Sequence, residues 1–232
     1  MQYEIAGTTM PALTLKLAPG ERVYAEAGAM AWMTESIEMD STIRGGLFGA
    51  LGRMLTGESL ALTAFSTRRQ PGEVTFTGAV PGRIIPVPVE RGQDIIVQAT
   101  GLLCLEEGVE MKLHFRRKLW SGLFGGEGFL LQRLSGNGLA FCEIDGEVVE
   151  KELGRGEMLR VDPGHIAMFD ESVTFDISMV RGIKNWFLGG EGLFLATLEG
   201  PGRVWLQTLP FSNLVGMISA CLPSRSGWRI DT

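Results

Sequence analysis

One pattern occurs three times in this sequence, and it constrains the fold more than any other feature. A segment that begins at Arg91 returns without a gap 64 positions later at Arg155, and a divergent version begins with Gly20, 72 positions before Gly92. A Gly-Glu pair follows 34 to 37 residues after the glycine of each segment, at Gly57, Gly126 and Gly190. Because the two signals agree in order and spacing, we predict three tandem copies of one structural unit.

The repeated unit has the residue pattern of β-structure. Apolar and polar residues alternate over 13–17, 74–77 and 173–177, which is typical of a strand with one buried face. Turn-forming pairs such as Pro-Gly and Asp-Gly separate the runs at short intervals, as they do in sandwiches and barrels. We therefore predict an all-β fold of tandem β-sandwich or double-stranded β-helix-like repeats with pseudo-threefold character.

Local signals refine this prediction. Pro86 and Pro88 interrupt an apolar run, and since proline cannot donate to a ladder they indicate an edge strand. One short C-terminal helix is expected over 213–222, with Ser212 as its cap and Pro223 as its stop. We expect a single compact unit over residues 1–232, with internal repeats at 1–70, 71–134 and 135–210 and a C-terminal segment at 211–232.

The composition narrows the class of protein. The 32 glycines lack a Gly-X-Y period, which excludes collagen, and the formal net charge of −6 argues against a broad basic surface for nucleic acid. Three cysteines without a C-x-x-C pair favour a reducing compartment with buried free thiols. Neither a signal-peptide pattern nor an apolar run long enough for a membrane span is visible, so we expect a cytoplasmic protein.

Three segments resemble one known family. The glycine-rich loop 122–128, the turn 135–138 and the ending 200–210, which reads Gly-Pro-Gly-Arg-Val-Trp-Leu-Gln-Thr-Leu-Pro, are similar to the altered-inheritance-of-mitochondria family over nearly the whole chain. The resemblance implies a β-rich fold like that of the tryptophan RNA-binding attenuator protein. Eukaryotic members are mitochondrial and associated with inner-membrane organisation. The resemblance transfers no catalytic residue to this chain.

The residues of catalytic and ligand-binding types form no recognisable constellation. His114 and His165 are the only histidines and have no metal-ligand spacing, so we expect no metal site, and we place His165 in a loop. Cys104 stands in register with Trp32 and Met168, which indicates a core position rather than a nucleophile. No G-x-S-x-G and no Walker-type loop occurs. We predict no enzymatic activity, no catalytic residue and no cofactor.

The loops around the Gly-Glu pairs hold the candidate binding residues. The three glutamates either accept backbone N–H bonds from their own glycine turns or converge on a cation or polar ligand. The basic residues beside them either form a solvated rim or contact an anionic partner. The same loops carry so much apolar surface that we expect another repeat, another subunit or a membrane to bury it. The candidates are Glu58, Glu127, Glu191, Arg116, Arg117, Lys118, Trp120, Phe124 and Trp186.

Two hypotheses of function follow. The leading one is a non-enzymatic scaffold or binding protein that self-associates as a homo-oligomer, a trimer or a multiple of it being favoured. The alternative is a module that binds a ligand, an anionic lipid or a nucleic acid through its basic and aromatic glycine-rich loops, with nucleic acid the less favoured partner.

Overall fold

Strands make up most of the structure. The computed structural model describes residues 1–40, 62–117, 129–179 and 194–221. Its elements are β1 (Gln2–Ala6), β2 (Ala12–Leu17), β3 (Arg22–Glu26), β4 (Met30–Met33), β5 (Glu38–Asp40), β6 (Leu62–Ser66), β7 (Gly72–Thr77), β8 (Gly82–Val89), β9 (Ile95–Gln98), β10 (Leu102–Glu106), β11 (Val109–Arg117), β12 (Phe129–Gly136), β13 (Gly138–Asp145), β14 (Val148–Leu153), β15 (Met158–Val161), β16 (Ile166–Asp170), β17 (Thr174–Met179), β18 (Phe194–Glu199), β19 (Gly202–Gln207) and the helix α1 (Phe211–Cys221).

The described strands form four antiparallel sheets. The first has the order β1-β2-β7-β4, and the second has the order β5-β6-β3-β10-β13-β8. The third has the order β11-β12-β9-β16-β19-β14, and the fourth is β15-β18-β17. The prediction of an all-β fold with one short helix is therefore confirmed. The edge position predicted from Pro86 and Pro88 is also confirmed, because β8 is the last strand of the second sheet.

Three apolar cores lie between successive sheets. Each core takes its side chains from two neighbouring sheets, so the second and third sheets are buried on both faces. The sequence reflects this difference: β2 of the first sheet alternates buried and less buried residues, whereas β10 of the second sheet is apolar and buried at its first four positions, from Leu102 to Leu105. Fully buried side chains include Leu13, Phe65 and Phe76 in the first core, Leu105 and Ala140 in the second, and Phe129, Phe169 and Leu198 in the third.

Three turns need glycine for a conformational reason. Gly20, Gly92 and Gly156 precede β3, β9 and β15, and their φ angles are +90°, +82° and +76°. A Cβ at any of the three would meet no atom within 4 Å, so the backbone angle alone explains the residue type. Each glycine thus lies in a link that carries the chain from one sheet to the next, from β2 to β3, from β8 to β9 and from β14 to β15, at low conformational cost.

Two local predictions need correction. The helix starts at Phe211, so Ser212 lies inside it and is not its cap; the side chain of Asp145, far away in sequence, accepts the Phe211 N–H at 2.9 Å instead. The cysteines are free, but only Cys104 and Cys142 are buried, whereas Cys221 is exposed because α1 packs little against the sheets. Pro223 lies outside the described residues. In the part of the chain that the structure describes, no helix is long and apolar enough to span a bilayer.

Candidate functional site

Of the nine predicted binding residues, two lie on described strands and seven do not. Glu58, Glu127, Glu191, Lys118, Trp120, Phe124 and Trp186 lie outside the described residues. Arg116 and Arg117 end β11, where they pair with Leu130 and Phe129, but their side chains also lie outside the described part.

The histidines and buried cysteines occupy structural positions. His165 closes the 3-10 turn Pro163–His165, with its Nδ1 atom 2.7 Å from the carbonyl oxygen of Gln207. His114 lies on β11, where partial desolvation and the nearby Arg133 guanidinium lower its pKa. Burial raises the pKa of Cys142 to about 12 and raises that of Cys104 as well, which is the reverse of what a nucleophilic thiolate requires. Among the described residues, no three His, Cys, Asp or Glu side chains gather in one place.

One open pocket of 670 Å³ lies beside β2 and β7. The Met1 ammonium contacts Glu21 at 2.7 Å, and Lys16 contacts Glu73 at 3.7 Å, so charged groups of its wall are already paired with each other. Thr34, which follows β4, also lines it. The pocket thus lies at one end of the first sheet, where β2 ends, β7 begins and the chain leaves β4.

The second and third sheets each contain a joint between strands from distant parts of the chain. In the first joint β3 pairs with β10, with Ala25 opposite Cys104. In the second joint β9 pairs with β16, with Val97 opposite Met168. The paired residues of the second joint lie 72 and 64 positions after those of the first, which are the offsets found in the sequence.

An ion pair crosses each joint next to the paired strands. At the first joint, Arg22 lies 3.7 Å from Glu107. At the second joint, Arg133 lies 2.5 Å from Glu171, whose N–H also donates to the Asp94 carbonyl oxygen at 3.1 Å. Arg22 belongs to β3 itself, and Arg133 belongs to β12, which pairs with β9 on its other side. In both joints the glutamate follows the later of the two paired strands.

The strands at the same offsets in the outer sheets have one edge without a partner among the described strands. β4 ends the first sheet and pairs only with β7, and β15 ends the fourth sheet and pairs only with β18. Counting back 72 positions from Cys104 gives Trp32, and counting on 64 positions from Val97 gives Val161. The two open edges thus correspond to the two halves of a joint.

The residues of β4 are more exposed to solvent than the residues at the equivalent positions of β10 and β16. Cys104 and Met168 are each 1% exposed, whereas Trp32 is 59% exposed; the prediction of a core position was right for the first two and wrong for Trp32. Met33 is 37% exposed, although its counterparts Leu105 and Phe169 are fully buried. Met158 on β15 is exposed as well. Sequence register alone identified these positions, but it could not show that the first of them has no covering strand.

Other sheet edges carry features that discourage pairing. β8 contains two prolines, and β14 places Glu150, Lys151 and Glu152 in succession. β4 has the sequence Met-Ala-Trp-Met, with neither a charge nor a proline. An apolar, unprotected edge of this kind is suited to pair with another strand.

Comparison with known proteins agrees with the architecture. A sequence model of the family described as "Mitochondrial biogenesis AIM24" matches residues 3–209. An uncharacterized protein of Streptococcus pyogenes serotype M6 is 26% identical over 224 residues, which are 93% of this chain and 88% of that protein. The X-ray crystal structure of another Streptococcus pyogenes protein is similar in fold, with a TM-score of 0.78 and 22% identity over 95% of this chain and 99% of that one.

Proposed function

The chain belongs to the mitochondrial biogenesis AIM24 family, and on this premise we propose that it is a non-enzymatic scaffold whose copies join head to tail through β4 and β15. The observation that carries the proposal is the contrast between Trp32, 59% exposed, and its counterparts Cys104 and Met168, both buried in joints. A second molecule that supplies β15 would cover Trp32 in the way that β3 covers Cys104.

The proposal includes the threefold repeat predicted from the sequence. Support comes from strand pairing: β3 and β9 stand at equivalent offsets and each pairs with the strand equivalent to β4 in the next repeat. Among the described strands, β15 has no partner on the side where a following repeat would pair, and β4 has none on the side where a preceding repeat would pair. One molecule therefore carries one donor edge and one acceptor edge, each complementary to the other.

The inner joints define the register of the proposed contact. Ala25 opposite Cys104 and Val97 opposite Met168 translate into Val161 opposite Trp32 of the next molecule. Val161 belongs to the third core, so in this register the indole would extend that core. The same offsets place Arg160 opposite Met33 and Leu159 opposite Thr34.

Charge supports the same register. Glu35 stands at the position of Glu107 and Glu171, which accept ion pairs at the inner joints. Arg160 lies on the exposed side of β15 and makes no ion pair with another described residue. Arg160 stands opposite Met33, two residues before Glu35, so the proposed register makes these opposite charges of neighbouring molecules diagonal neighbours on one face of the sheet. Because donor and acceptor surfaces differ, the contact is heterologous and produces a ring if the rotation closes, or a filament if it does not.

Sedimentation velocity of the variant Trp32→Lys tests the proposal. About 120 Å² of aromatic surface leaves water in the contact, worth ~3 kcal/mol, so the substitution should weaken association roughly 100-fold. Val149→Lys is the matched control, because Val149 is 41% exposed on β14, another sheet edge, and should leave association unchanged. A wild-type chain that remains monomeric at high micromolar concentration, or equal behaviour of the two variants, contradicts the proposal.

A further inference from the structure

The helix α1 exposes an apolar face. Phe211, Val215 and Ile218 follow one another at intervals of four and three residues, so they share one side of the helix. Their exposed fractions are 51%, 38% and 52%, and no charged residue occurs in the element. Asn213 lies on a different side. A face of this kind stays in water only at a cost unless another surface covers it.

The start of α1 is fixed beside the turn that follows β15 of the fourth sheet. The Phe211 N–H donates to Asp145 at 2.9 Å, and the Pro210 carbonyl oxygen accepts from Asn213 and Leu214. Pro210 lies near Gly164, where an added Cβ would be 3.5 Å from the Pro210 Cβ, and the turn that contains Gly164 follows β15. The apolar face therefore continues the surface that β15 offers in the proposed contact.

The segments that link the strands form a row of hydrogen bonds that leads to this point. Each segment donates a backbone N–H to a carbonyl oxygen of the segment before it. The bonds are Gly82 to Thr9 at 2.8 Å, Gly146 to Pro81 at 2.8 Å and Leu209 to Asp145 at 3.1 Å. The row begins at the turn of residues 7–10 and ends where α1 starts. In a head-to-tail assembly, the turn of residues 7–10 of the following molecule would continue this row beyond Leu209.

We propose that α1 clasps the following copy of this chain by packing its apolar face on that molecule's turn of residues 7–10. Both surfaces suit each other, because the turn Gly-Thr-Thr-Met carries no charge and Met10 is 54% exposed. The occupant is a second copy, since the face lies in continuity with the β15 edge. This inference rests on the proposed head-to-tail contact and assigns to the helix the stabilisation of that contact.

The variant Ile218→Lys in the full chain tests the clasp, with Asn213→Lys as the control on another side of the same helix. We expect Ile218→Lys to raise the dissociation constant of self-association roughly tenfold or more, and the control to stay within about twofold. Thermal unfolding of the monomeric species verifies that both variants fold. Flotation with phosphatidylglycerol vesicles reports whether the face binds lipid instead.

The outcomes separate the two proposals. If the wild-type chain associates, Trp32→Lys dissociates it and Ile218→Lys does not, the clasp is wrong and the strand contact stands. If Ile218→Lys changes only vesicle binding, the face serves a membrane and the clasp is again wrong. If the wild-type chain does not associate at all, both proposals fail.

Discussion

Charge reversal across the proposed contact offers a test of its register. The single variants Arg160→Glu and Glu35→Arg each place two like charges where the contact would join opposite ones, and the double variant restores the pairing with reversed polarity. The inner joints serve as the structural reference, since Arg22 and Glu107 lie 3.7 Å apart with side chains 46% and 59% exposed. The experiment therefore measures whether Arg160 of one molecule and Glu35 of its neighbour lie close enough to interact.

The magnitude follows from that exposure. A solvent-exposed ion pair contributes about 0.2–1 kcal/mol, and replacing attraction by repulsion doubles the difference. Each single variant should therefore lose ~0.4–2 kcal/mol, or about 2- to 30-fold in association. The double variant should return to within about threefold of the wild type. Screening should shrink all these differences at 1 M salt, where the Debye length is about 3 Å.

A concentration series in sedimentation velocity, at low and high salt, measures these effects. Lys112→Glu, which reverses a charge paired at 3.0 Å within β11, provides the control and should not change association. Failure of the double variant to recover, although both single variants weaken association, would refute the register. Absence of any effect in the single variants would remove Arg160 and Glu35 from the contact altogether.

Two further predictions concern the monomer. Burial raises the pKa of Asp145, so the native state becomes less stable as pH rises from about 4 towards the folded-state pKa of this carboxyl group. Asp145→Asn should remove this loss, so in urea titrations it should gain stability relative to wild type at pH 7 but not at pH 4; an equal effect at both pH values would contradict the reasoning. A Cβ at Gly82 would collide with the Ile144 carbonyl oxygen, so Gly82→Ala should lower the free energy of unfolding by about 3 kcal/mol or more. Gly216 lies in open space on α1, so Gly216→Ala should raise the free energy of unfolding by about 0.5–1 kcal/mol. A shift of the urea midpoint in the same direction for both variants would contradict the reasoning.

Sequence patterns predicted the strands well because burial leaves a period in the residue types. The alternation in β2 and the prolines of β8 report local surroundings, and local surroundings are what a periodic pattern encodes. The helix start escaped prediction because its cap comes from Asp145, 66 positions away, and no local signal announces such a partner.

The exposed edge was missed for a different reason. Register analysis assigns equivalent positions the same environment, and Trp32 does match Cys104 and Met168 in register. The first repeat, however, has no described strand in the place where β3 and β9 cover the later repeats. The residue types at the equivalent positions do not show this difference. The prediction that could have been made is that the first and last members of any repeated series have unlike surroundings. The glycine-loop residues, by contrast, lie outside the described residues, so their predicted roles stay predictions.

The shared sheets also set the order in which the chain can fold during synthesis. The second sheet combines β3, β5 and β6 with β8, β10 and β13, so β3 keeps an open edge until β10 has left the ribosome. The third sheet repeats the situation for β9, which waits for β16. Nascent chains therefore expose a fresh strand edge twice during translation, and a ribosome that stalls between residues 98 and 166 releases a product whose unfinished sheet can recruit a strand from another molecule. Codon-dependent pauses in that interval should accordingly increase the fraction of aggregated protein.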